Sequence, residues 1–73
     1  MDLKLAFGIV LKKRRKEVNI SQEQLALKSG LDRTFVSKLE RGLNQPSLET
    51  IFAISEYLEC SASELVKRVE AEH

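Results

Sequence analysis

Apolar residues in this 73-residue chain recur at three- and four-residue spacings, and no useful stretch alternates with period two. The pattern predicts helices throughout. The first is expected from about Leu3 to Val18, with Leu3, Phe7, Val10, Leu11 and Val18 along one face. Leu5 and Ile9 fall off that stripe and have no assigned use. Asn19 is placed as a left-handed stop. Ser21 opens a second helix as N-cap, and Gln24, three residues on, completes a capping box. Gly30 supplies the positive φ that ends this helix. Asp32 caps a third helix whose Val36 and Leu39 point inward and which stops at Gly42. After a loop from Gly42 to Pro46, Ser47 caps a fourth helix carrying Leu48, Ile51, Ile54 and Leu58. Ser61 caps a fifth, over about residues 62–71, with Glu64 at the capping-box position and Leu65, Val66 and Val69 as its apolar edge. The expected fold class is all-α: five short helices in one compact domain over residues 1–73.

Composition narrows the function classes. With 42% hydrophobic and 32% charged residues the chain is expected to be globular, not disordered. No apolar run approaches the ~18 residues of a membrane span, so no membrane partner is expected. The charges from Lys12 to Lys16 follow the first apolar stretch instead of preceding it, which does not match a signal peptide. A single cysteine, Cys60, cannot form an internal disulfide, which fits a reducing cytoplasm; core packing is its expected role. His73 is terminal and is the only histidine, so no zinc set is available. There is no nucleophile–base constellation and no glycine-rich phosphate loop. The chain is therefore not expected to be an enzyme, nor to need a cofactor, a metal or a small-molecule ligand.

The net charge of +1 hides a gradient. Residues 1–41 hold ten Lys/Arg against five Asp/Glu, whereas residues 42–73 hold two against six. One half could face phosphates while the other points away. Within the basic half, Ser21 to Gly42 reads as two short helices joined by a tight turn, with the motif proper at about residues 22–41. Val36 and Leu39 facing in leave Arg33, Thr34, Ser37 and Lys38 facing out. That arrangement fits a DNA major groove, so double-stranded DNA is the expected partner. Arg33 can donate two hydrogen bonds to guanine O6 and N7, a pair worth roughly 1–3 kcal/mol of discrimination. Thr34, Ser37 and Lys38 complete the expected base-contacting set. Gln22, Phe35, Arg41 and Asn44 are expected against the phosphate backbone. Packing under the turn is an alternative for Phe35, capping is one for Gln22, and a plain solvated face is one for the whole outward set.

Arg15 falls four residues after Leu11, on the continuation of the inward stripe. A buried arginine requires an acidic partner, and Glu40 is the natural candidate. The pair is read as structural. The other basic residues of the run, Lys12, Lys13, Arg14 and Lys16, are read as surface.

Four pieces occur in order: Ser-Gln-Glu-Gln-Leu-Ala at 21–26, Ser-Gly-Leu at 29–31, Val-Ser-Lys-Leu-Glu-Arg-Gly at 36–42 and Pro-Ser-Leu-Glu-Thr-Ile at 46–51. In these, over about residues 7–67, the chain resembles the phage repressor/Cro-like helix-turn-helix transcription regulators, the XRE family. Leu-Asp-Arg-Thr-Phe-Val-Ser at 31–37, followed by Glu-Arg-Gly, resembles the small controller proteins of restriction-modification systems. The resemblance implies a five-helix, lambda-repressor-like DNA-binding domain and the same Arg15–Glu40 pair. It also implies a sequence-specific regulator. A single such motif makes few contacts, so a homodimer on a palindromic operator is expected, with half-sites about 34–36 Å apart. Ile54, Tyr57, Leu58, Leu65, Val66 and Val69 are the expected dimer interface, some shared with the core. RNA polymerase is a further candidate partner. An antitoxin-type interaction module of the same fold, with secondary DNA binding, is the competing reading.

Overall fold

In the computed structural model, which describes residues 1–73, five helices follow in the order α1 (Leu3–Glu17), α2 (Gln22–Ser29), α3 (Arg33–Glu40), α4 (Leu48–Tyr57) and α5 (Ala62–Glu72), with no strand. Local chemistry sets their ends. The side chains of Asp2, Ser21, Ser47 and Ser61 each accept the backbone N–H of the third helical residue, and α2 and α5 begin with reciprocal capping boxes to Gln24 and Glu64. Asp32 has the extended N-cap backbone, but its side chain makes no capping bond, unlike the expectation. Asn19, Gly30 and Gly42 turn the chain with φ of 61°, 70° and 74°. Glu59 does the same after α4, with φ 58°. No glycine or asparagine marks that corner in the sequence.

α1 lies at the centre and packs against both α3 and α5, while α2 packs on α3 and α4. Phe7, Val10 and Leu11 of α1 meet Leu25, Val36, Leu39, Ile54, Leu58 and Leu65 in one core. Two residues of the expected stripes lie elsewhere. Leu3 is 52% exposed and Leu48 70% exposed, because both sit in the first turn of their helices, outside the zone where helices cross. The expected dimer interface is also corrected. Ile54, Leu58, Leu65 and Val69 are all buried in the monomer's own core, where they hold α4 and α5 to the rest and offer no surface to a second chain. Tyr57 and Val66 remain exposed.

Arg14, read from sequence as surface, closes the α4–α5 corner. Its Nε donates to the Leu58 carbonyl at 2.8 Å and its Nη2 to the Glu59 carbonyl at 2.9 Å, satisfying groups that the end of α4 leaves free. Its Nη1 donates to Glu17, which also accepts from Arg68. Arg14 first, and then Arg68, hold the Glu17 carboxyl below the usual carboxylate range, and Glu17 in turn raises the Arg14 guanidinium. The backbone N–H and hydroxyl of Ser61 lower the Glu64 carboxyl similarly. Salt links therefore fasten the end of α1 to the α4–α5 corner and to α5.

α1 and α3 touch most closely at Gly8. A Cβ there would stand 2.5 Å from the Leu39 carbonyl oxygen and 2.6 Å from that of Glu40. At Gly42 a Cβ would meet the Leu5 side chain at 2.5 Å, so Leu5, unassigned from sequence, covers the end of α3. Gly8→Ala should lower stability. Overpacking against backbone typically costs about 1–3 kcal/mol, against the roughly 1 kcal/mol that alanine gains over glycine inside a helix. The midpoint of chemical unfolding is the measurement, and a raised midpoint would contradict this crossing.

Candidate nucleic-acid interface

The sequence Ser29-Gly30-Leu31-Asp32 ends one helix and starts the next within a few residues. Gly30 takes the left-handed conformation at the end of α2, and the Leu31 N–H returns to the Ala26 carbonyl at 2.9 Å. Leu31 packs against the core edge and anchors the turn. α3 then presents two faces. Val36 and Leu39 are fully buried. Arg33, Thr34 and Lys38 are exposed, and Ser37 is half-buried beside them.

Gln22, Arg33, Thr34 and Ser37 together line an open, wholly polar cleft of about 230 Å³ between the start of α2 and α3. Arg41 is exposed just beyond α3, with its Nε donating to the Ser37 carbonyl at 3.4 Å, and Asn44 is half-buried in the loop that follows. Arg33, Lys38 and Arg41 form no salt bridge, so all three charges are available to an anionic partner. Phe35 departs from the backbone-contact expectation. It is half-buried and packs against the core, the alternative that its position beside the turn had left open.

Behind this face lies the Arg15–Glu40 pair. Arg15 Nε donates to Glu40 Oε2 at 2.5 Å, its Nη2 donates to Oε1 at 3.0 Å, and its Nη1 donates to the Ile20 carbonyl at 2.9 Å. The side chains are 10% and 2% exposed. A two-pronged link of this kind holds both distance and plane. Gln22 joins it: its Nε2 donates to Glu40 Oε1 at 3.0 Å instead of reaching freely outward as expected. Nothing in the spacing of Gln22 and Glu40 announces that bond. It exists because α2 and α3 fold together at the turn. Gly8 and Arg14 were also missed. The only sequence signal for Gly8 is an isolated glycine inside a helical pattern, which often marks close packing.

Comparison with known proteins gives one consistent picture. The helix-turn-helix family model matches residues 11–65. The chain is 43% identical over 72 residues to the control protein C.MunI of Mycoplasma sp, covering 97% of each chain. It is 36% identical to the control protein C.BamHI of Bacillus amyloliquefaciens, over 89% of this chain and 82% of that one. The crystal structure of the restriction-modification controller protein C.AhdI from Aeromonas hydrophila matches with a TM-score of 0.82 at 39% identity, over 85% of this chain and 94% of that one.

Removing one partner of the buried pair is the direct check on this scaffold. Glu40→Ala leaves Arg15 buried without its counter-charge and should cost about 3–5 kcal/mol. Denaturant titration reads this, and a loss under 1 kcal/mol would mean that the pair does not hold α3 in place.

Proposed function

Because the chain belongs to the helix-turn-helix family of DNA-binding transcription regulators, the family of the restriction-modification controller proteins, and is not an enzyme, we propose that it acts as a dimer on a palindromic operator and reads bases through α3. Similarity to C.MunI across nearly the whole of both chains supports placing it in the controller subgroup. No helix is long and apolar enough to cross a membrane, and its site of action is the DNA of the cytoplasm.

The observation that carries the reading is α3 itself. Its apolar side is fully buried, its cationic side is free of salt bridges, and a wholly polar cleft separates it from α2. Arg33 would read guanine through its two-pronged donor geometry, with Thr34, Ser37 and Lys38 contacting neighbouring base edges. Arg41 and Asn44 would bind phosphates on the flank, joined by the free N–H groups at the start of α2. The acidic second half of the chain lies largely on α4 and α5, so the field favours approach by the α2–α3 side.

For the dimer, the burial of four expected residues shifts the contact to the outer face of α4. Leu48 is 70% and Phe52 61% exposed, four residues apart on one side of that helix. Ile51 lies next to them and joins Leu3 and Val66 around a shallow apolar cleft. Tyr57 is nine residues beyond Leu48, half a turn round the helix, and so faces away from this patch. A second copy covering Leu48, Phe52 and Val66 would bury the exposed apolar surface and set two α3 helices on one side of the duplex.

Selection of bound duplexes from a random DNA pool, at stated salt, tests the function; a palindromic consensus is expected, and failure to enrich any sequence overturns the proposal. On that consensus, Arg33→Ala should lower affinity about tenfold or more while scarcely changing binding to scrambled duplex. Arg41→Ala should weaken both alike and reduce the slope of log K against log salt by about one. Equal losses from Arg33→Ala on the two duplexes would remove Arg33 from base reading. Phe52→Glu should shift the chain to monomer in sedimentation at tens of micromolar; an unchanged oligomeric state would clear α4 of the dimer contact.

A further inference from the structure

We infer that Gln22 is a positioning residue for base reading, one whose amide is aimed by the core ion pair so that its carbonyl oxygen holds the Arg33 guanidinium across the cleft. The inference rests on the reading of α3 given above.

The argument begins with donors and acceptors. Glu40 Oε1 accepts from both Arg15 Nη2 and Gln22 Nε2, each at 3.0 Å. An ionised carboxylate only accepts, so Gln22 has to turn its NH₂ group toward it. That leaves the amide oxygen, Oε1, without a partner, and it is not buried. Gln22 lines the cleft together with Arg33, Thr34 and Ser37. Of these, Arg33 offers five N–H donors and forms no salt bridge, so it is the strongest donor available to a free oxygen there. Phosphate oxygens accept as well, and an acceptor facing them is repulsive. The unpartnered oxygen therefore suits a guanidinium better than a DNA backbone.

The gain is pre-organisation. Arg33 is exposed and loses rotamer freedom when its fork docks on guanine. A fixed acceptor beside it removes part of that loss before DNA arrives. In this arrangement the buried Arg15–Glu40 pair reaches the reading face through a single amide.

A double-mutant cycle separates this from a phosphate-donor role. Gln22→Ala, Arg33→Ala and the double variant are titrated with the selected consensus and with a scrambled duplex at one salt concentration. Gln22→Ala should lower the consensus-to-scrambled preference about tenfold and should add nothing in the Arg33→Ala background. Equal weakening on both duplexes, additive with Arg33→Ala, identifies a phosphate donor and overturns the inference. Gln22→Met, which keeps the side-chain volume, runs the same cycle should Gln22→Ala melt early. A wild-type chain that prefers no duplex overturns the DNA reading itself. That result is distinct from an intact preference that Gln22→Ala leaves unchanged, which overturns only the role given to Gln22.

Discussion

The ion pair between Arg15 and Glu40 ties together the elements that matter most. Arg15 comes from the last turn of α1, and Glu40 is the last residue of α3. The third guanidinium bond goes to Ile20, in the connection that leads into α2. One side chain thus sets where α2 starts and where α3 ends. Such a pair is a poor source of net stability, because desolvating two charges offsets much of their attraction. Its value is geometric. A fork meeting a carboxylate accepts one plane and one distance, so the reading helix cannot slide along the core as an apolar contact would permit.

Packing around that pair leaves little freedom. Gly8 brings α1 against the carbonyls of Leu39 and Glu40, immediately beside the pair. Leu5 lies over Gly42, where the chain leaves α3. The far side of α1 is held by a different device, with Arg14 gripping the end of α4 and Glu17 linking to Arg68 of α5. Consecutive arginines thus serve opposite sides of the domain. A helix turns 100° per residue, so neighbours in a basic run cannot share a face.

The division of labour follows from charge. The α2–α3 side carries cations without counter-ions and a polar cleft, and the α4 side carries exposed apolar residues among acidic ones. A DNA-binding face and a self-association face require these opposite chemistries. Placing them on opposite halves of a 73-residue chain keeps one from masking the other.

Helix existence, most caps and the outward set of α3 were legible in the residues, because three–four spacing and Ser-x-x-Gln or Ser-x-x-Glu boxes are local signals. Arg15 was legible for a related reason: a charge on an apolar stripe demands a partner. The burial of Ile54, Leu58, Leu65 and Val69, the exposure of Leu48, and the work of Gly8, Arg14 and Gln22 were decided only when the helices packed. Spacing along one helix says which residues share a face, whereas the neighbour that covers that face, and the carbonyl or carboxylate that meets a given side chain, come from segments remote in the chain and exist only in the folded whole.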